Sequence, residues 1–404
     1  MILIGKKKFF YICIISLHVF LVSLPNISPE ISFIFILLFF STYLFKRIDR
    51  KKFYVFFKII SIPLLIIFFG LLFSFNNNII DVIRDLFRYS FPVAVLAFGY
   101  YVATTFSLKE FIRLLLLSGF LHSSIQLILN IYYGASFENT STLFKTMNNY
   151  LCPITLSLLI ANLKFRFKLF NRNIMIMIFL VNLINLFLLN MRTHFLAVFI
   201  ITFSILGVFK ISSKISIKNL LFLISPFLLF FTMYFIFGFQ FHSRLFESFT
   251  EFIPKNYSSE EDIRQFWRGY ESYRGLITFS SKDLIYKIFG GGFGSKVDLL
   301  FTISLGQAEN QYRYITQLHN GYVEIILKTG VLGTLMYLSF FFKNIFSNLR
   351  PNKNLSLESQ FIKNSIFGLS LMLLLVTTFN GGLIDYDQFS AIFLLGFLLN
   401  KNHL

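Results

Sequence analysis

Long apolar runs recur along the whole chain, and they constrain it more than any other feature. A membrane-spanning helix needs roughly 17–25 predominantly apolar residues. Stretches near that length lie at 9–24, 31–45, 53–75, 89–106, 110–133, 149–163, 173–190, 194–209, 219–240, 318–342, 362–380 and 386–400. The first two are short and sit nearly upright, or draw charged flanks toward the interface. Hydrophobic residues make up 56% of the chain and charged ones 14%, against about 25% charged in a soluble domain. The 58 Phe are too many for one water-soluble core. The sequence therefore predicts an all-α polytopic membrane protein with about 12 transmembrane helices, a single integral membrane domain over 1–404. The Lys6–Lys8 cluster ahead of the first run resembles a signal peptide, but no small-residue cleavage site precedes Pro25. The run reads as an uncleaved first span.

Charge distribution sets the expected topology. The net charge of +18 would suit nucleic acid, yet most Lys and Arg sit in short loops between apolar runs. Connections 46–52, 164–172, 210–218 and 343–361 are basic, whereas 24–30, 134–149 and 380–388 hold one Lys among them. Cytoplasmic loops carry the excess of Lys and Arg, so both termini are expected in the cytoplasm. Residues 241–317 are the exception: a large extracytoplasmic loop between spans 9 and 10, with nine Lys or Arg and the only Trp, Trp267. Long loops escape the charge rule, and loops of this length usually have a function. Within it, 260–279 reads as helical.

The residues able to do chemistry cluster on the expected outer side. Arg192 lies in a very short connection at the end of a span. Arg84 and Arg88 are expected in an outer loop, and Arg244, Arg264, Arg268, Arg274 and Arg313 in the long one. A guanidinium fork binds phosphate in bidentate fashion, and the common phosphorylated ligand outside a membrane is a lipid-linked pyrophosphate. The alternative is that Arg84 pairs with Asp81 or Asp85 and that the loop arginines are solvated. The run 288–295, IFGGGFGS, either cradles phosphate through amides such as those of Gly292 and Gly294 or simply turns the loop back. The stretch 317–333, QLHNGYVEIILKTGVLG, carries charge where a span begins. As a helix from Leu318 it puts Asn320, Glu324 and Lys328 on one stripe, with Glu and Lys in the favourable i,i+4 order. His319 stands about 100° away. Gly330 and Gly333 suggest a joint between a short interfacial helix and the span proper. His18 and His122 read as structural, and Cys13 and Cys152 as buried thiols without a disulfide framework. No ligand spacing suggests a metal.

The order of these features resembles the O-antigen ligase and O-antigen polymerase superfamily, which transfers bacterial surface glycans. The resemblance rests on NMRTHFLAVFI at the outer Arg192, IRQFWRGY in the large loop, IFGGGFGS, and HN(GYVEIILKT)GVLG, over about 190–335. TMNNYLCPITL at 146–156 adds an Asn-bearing start to an earlier span. The resemblance implies a C-type membrane glycosyltransferase fold and no metal or other cofactor. The implied donor is an undecaprenyl-pyrophosphate-linked oligosaccharide on the outer leaflet of the plasma (inner) membrane. It implies His319 as the catalytic base and Arg192, Arg264 and Arg268 as pyrophosphate ligands. Arg84, Arg88, Asn320, Glu324, Gly292 and Gly294 are possible accessory groups. Lys328 departs from the acid or polar residue often found there. The expected partners are the lipid-linked glycan, membrane lipid and a possible chain-length regulator, with no nucleic acid. Polymerase is the first reading, ligase onto a lipid A core the second, and a lipid-linked sugar flippase the alternative from another class.

Overall fold

The computed structural model describes residues 10–16, 19, 34, 50–132, 149–189, 191–209, 257, 262–263, 266–304, 311–349 and 355–403. The expected spans at 31–45 and 219–240 lie almost wholly outside these residues, and of 9–24 only 10–16 and 19 are described, all helical. Every other expected span finds a helix: α1 (Arg50–Leu72), α2 (Ile79–Thr105), α3 (Leu108–Tyr132), α4 (Leu151–Phe165), α5 (Arg172–Leu189), α6 (Arg192–Leu206), and, after the loop elements, α9 (Gly321–Leu349), α10 (Leu357–Val376) and α11 (Phe389–His403). Among the described residues six are long and apolar enough to cross a membrane: α1 from Tyr54, α2, α3, α5, α9 and α10. The chain is a polytopic helical membrane protein.

Close helix packing holds the bundle. A side chain on Gly99 of α2 would strike the carbonyl of Phe393 on α11, and one on Gly396 of α11 the carbonyl of Leu96. Small residues of this kind let membrane helices approach backbone to backbone. Beside that contact, Phe111 of α3 stacks on Phe397 of α11 with ring centroids 3.6 Å apart. Further pairs are α4 with α6, α6 with α10 and α9 with α10.

Two expectations change. Arg84 and Arg88 lie inside α2, which starts ten residues before the expected span at 89. Asn78 caps it, its Oδ1 accepting from the Ile80 amide at 2.9 Å, and Asp81 sits favourably in the first turn. Polar residues delay the apolar run but not the helix, because partners elsewhere in the protein satisfy them. The loop segment, read as helical only at 260–279, also departs from the expected all-α fold. It holds α7 (Trp267–Ser280) and a short α8 (Leu284–Phe289). An antiparallel hairpin follows, β1 (Val297–Ser304) with β2 (Gln311–Ile315), its register shifting between Asp298 and Ile303. Leu299, Val297 and Ile315 of the hairpin pack with Tyr270 of α7 and with Leu318, Val323 and Leu327 near the start of α9. The loop thus shares a small core with the bundle.

The joint in α9 falls where the glycines suggest. Gly330 has φ +67° and ψ −169°, a backbone state open essentially to glycine alone. The glycine-rich run docks on this break. The amide of Gly291 donates to Leu327 O at 2.8 Å and that of Gly292 to Lys328 O at 3.1 Å, at the carbonyl end of the first helical piece where intrahelical donors run out. Phe293 N–H donates to Gly70 O at 2.7 Å and Gly294 N–H to Asp85 Oδ2 at 2.7 Å. These amides serve protein carbonyls and a carboxylate, so the run is a backbone dock between α1, α2 and α9.

Candidate active site

An open cleft of about 880 Å³ lies where the N-terminal turns of α2, the loop elements, the β2–α9 link and the 380–387 turn converge. Its walls include Arg84, Arg88, Arg268, Glu271, Lys296, His319 and Asp385. Four residues singled out from separate parts of the sequence, Arg84, Arg88, Arg268 and His319, therefore line one space.

His319 sits in the link between β2 and α9 and stays open to the cleft, its side chain 45% exposed. Three side chains hold that link. Asn320 caps α9, its Oδ1 accepting from the amides of Tyr322 and Val323 at 3.1 and 3.3 Å. The amide of Leu318 donates to Glu324 Oε2 at 3.1 Å. Glu271 Oε2 lies 2.7 Å from His319 Nδ1 and accepts from the His319 backbone N–H at 3.3 Å. Helix α9 therefore begins at Gly321 rather than Leu318, and Asn320 is its cap rather than part of a helical stripe. Glu271 is almost fully buried, 3% exposed. It comes from α7 one turn after Arg268, so one helix face supplies both a cation and a carboxylate.

Beneath the cleft lies a buried charge cluster. Arg88 Nη1 donates to Glu324 Oε1 at 2.6 Å, and Lys328 Nζ pairs with Asp85 Oδ2 while lying 3.7 Å from Glu324. Glu324 and Lys328 do share a face of α9, but each finds its closer partner on α2. The expected self-masking pair is instead half of a four-charge cluster. Isolated charges at membrane depth are costly, and this cluster neutralises them pairwise. Lys328 thereby has a partner in Asp85.

The remaining arginines divide clearly. Arg84 contacts Asp81 at 3.3 Å, and Lys296 contacts the same carboxylate at 2.7 Å. Arg313 holds Asp298 in a fork at 2.9 and 3.0 Å, and Arg274 Nε donates to Asp298 O at 3.0 Å. The Arg313 guanidinium holds the Asp298 carboxyl below its usual range. Arg268 makes no ion pair among the described residues, which leaves its guanidinium available in the cleft. Burial pushes the Asp385 carboxyl up, against the opposing pull of Arg88. Arg192 opens α6, and its side chain lies outside what is described, as do Arg264 and Arg244. His122 is buried and shares a 2.9 Å hydrogen bond with Asn149. Among the described residues no cluster of three or more His, Cys, Asp or Glu is able to hold a metal ion.

Sequence reasoning missed Glu271 and Asp385, and offered Asp85 to Arg84 where the structure pairs it with Lys328. A carboxylate in a polar loop reads as solvated, and only the folding of α7 over the β2–α9 link buries it. The one available signal for Glu271 was its i,i+3 spacing from Arg268 in a segment already read as helical.

No curated protein matches the chain. The sequence profile of the family described as O-antigen ligase matches residues 177–338, from α5 through the first pieces of α9. Over that segment, which includes the cleft histidine, the chain is similar to the O-antigen ligase family.

Proposed function

We propose that this protein extends a bacterial surface polysaccharide by polymerising lipid-linked repeat units. The donor is a glycan on undecaprenyl pyrophosphate, and the reaction takes place at the outer face of the plasma (inner) membrane. The observation that carries this reading is the shared cleft, which sets a half-open histidine in one space with an arginine that makes no ion pair among the described residues. The cleft is also built from connections that the basic-residue pattern assigns to the outer side, which fits a donor presented on that face.

The acceptor hydroxyl gives its proton to His319 Nε2 as its oxygen bonds to the donor's anomeric carbon. The bond from that carbon to the pyrophosphate oxygen breaks, and its electron pair leaves on the pyrophosphate. Arg268 neutralises that charge, joined by Arg192 and Arg264 from the motifs. The proton on His319 then passes to water or to the departing lipid pyrophosphate. Positioned acid–base catalysis contributes about 10²–10⁴-fold, and preorganised cations at the leaving group typically contribute the larger share. Arg88, locked to Glu324, forms the floor of the cleft.

Ligase activity onto a lipid A core is the second reading, favoured by the description of the matching family. A surface-polysaccharide ladder from a deletion strain separates the two. Loss of length with one repeat still on the core means polymerase. Loss of all attached chains, with polymer retained on its lipid carrier, means ligase. Normal polysaccharide in strains carrying His319→Ala or Arg268→Ala at unchanged protein level would overturn the assignment of the site.

A further inference from the structure

We infer that Glu271 is the positioning residue of this site, selecting the tautomer of His319 that leaves Nε2 free to take the acceptor's proton. The inference rests on the proposed role of His319 as base. Its own ground is geometric. One oxygen of a carboxylate that is 3% exposed receives both the His319 Nδ1 contact at 2.7 Å and the His319 backbone amide at 3.3 Å.

An ionised carboxylate only accepts hydrogen bonds. A neutral imidazole facing it at Nδ1 must therefore carry its proton there. Nε2 then presents a lone pair, on a side chain that remains 45% exposed toward the cleft. The partner of one ring nitrogen fixes the state of the other. The backbone contact adds a second restraint, since the same carboxylate holds the main chain of the residue it orients. After proton transfer the imidazolium meets a buried negative charge rather than bulk water. No bond to substrate is made by Glu271 itself.

The carboxylate is in turn set by its helix. Tyr270, its neighbour on α7, donates through its hydroxyl to Leu299 O at 2.6 Å, and Arg274 binds Asp298 O. Both ties run to β1, so the hairpin fixes the depth at which α7 presents Glu271. Gly275 on α7 sits directly against Val323 and Leu318, which brings this helix close to the β2–α9 link.

The test uses the full-length protein in nanodiscs, with transfer measured from a lipid-linked donor and with ¹⁵N-histidine spectra. The wild type should show neutral His319 protonated at Nδ1, a measurement that needs no variant. Glu271→Met should mix the tautomers and lower kcat by about 10–100-fold, with donor KM changing less than about twofold. Glu271→Asp should restore part of kcat and the Nδ1–H signal. Neutral His319 protonated at Nε2 in the wild type, or Glu271→Met with unchanged tautomer and kcat, would overturn the inference. His319→Ala is the control that separates the two claims. Full activity in that variant sinks the base reading itself. Its loss, beside an unaffected Glu271→Met, sinks only the role of Glu271.

Discussion

Two of the buried polar regions among the described residues are built from different chemistry. Under the cleft, α2 and α9 join through full charges: Asp85, Arg88, Glu324 and Lys328. Between α3, α4 and α5 lies a seam of neutral groups. Ser123 donates to Asn182 Oδ1 at 2.9 Å, Asn185 donates to Ser123 Oγ at 3.2 Å and to Gln126, and Cys152 Sγ donates to Asn182 O at 3.2 Å. Neutral amides and hydroxyls suffice to tie membrane helices together, each contact adding modestly. Ionised groups at depth are far more expensive to bury. Among the described residues the buried Asp, Glu, Lys and Arg lie at the cleft end of the bundle, which marks that end as the one where position matters more than stability.

The largest expected difference comes from removing one charge. Lys328→Met leaves Asp85 without its cation and Glu324 with Arg88 alone. Breaking a buried pair in this way destabilises by about 3–5 kcal/mol, read as equilibrium unfolding in mixed micelles. Adding Asp85→Asn to the same chain should recover most of that loss, because the remaining Arg88–Glu324 pair is balanced. A double variant no more stable than the single one would show that Lys328 acts through packing, not charge.

Next in size is the joint that makes the charged region possible. The pieces of α9 on either side of Gly330 take different directions, and the loop at 288–292 fits into the break. Gly330→Ala must hold φ +67° with a side chain that collides with the Ile288 carbonyl. Strain of this type costs about 1–3 kcal/mol. The expected result is a lower unfolding temperature together with protease cleavage appearing near residues 288–295. A variant as protease-resistant as the wild type would mean that the dock does not depend on the glycine break.

These two regions also differ in how legible they were. The helices could be read because apolar runs of span length have few alternatives in lipid. The Gly330 joint could be read because two glycines follow a charged turn. His319 was singled out by the resemblance, through the HN(GYVEIILKT)GVLG spacing, and the fold puts it on the wall of the cleft. The charge cluster could not, because it is made across α2 and α9, 236 positions apart at the Arg88–Glu324 contact. Period and spacing describe neighbours on one helix and are silent about such pairs. The start of α2 was misplaced for the same reason: Asp81, Arg84, Asp85 and Arg88 look like a loop until their partners are known. The hairpin was missed because its two strands are short and joined by 305–310, with no tight-turn signature between them.

The neutral seam supplies a smaller effect. Asn185→Leu removes donors to Ser123 and Gln126 but leaves Ser123 bonded to Asn182. Single polar contacts between membrane helices average about 0.6 kcal/mol and reach about 1.7. Stability measured as for Lys328→Met should fall within that range, with transfer activity intact. A loss comparable with that of Lys328→Met would remove the distinction between the regions.

The smallest effect belongs to Asp385, at the edge of the charged region and outside the spans. Burial raises its carboxyl above the ordinary range despite the nearby Arg88. A folded-state value above the unfolded one gives stability that is fully present below the unfolded pKa and is lost as pH rises through the folded value. Asp385→Asn removes the titration. Its unfolding temperature should therefore match the wild type at acid pH and exceed it slightly once the wild-type carboxyl ionises. The measurement is the difference between the two proteins across a pH series, not either curve alone. If the variant is instead less stable at neutral pH, Asp385 is ionised and held by Arg88, and the charge cluster has a fifth member.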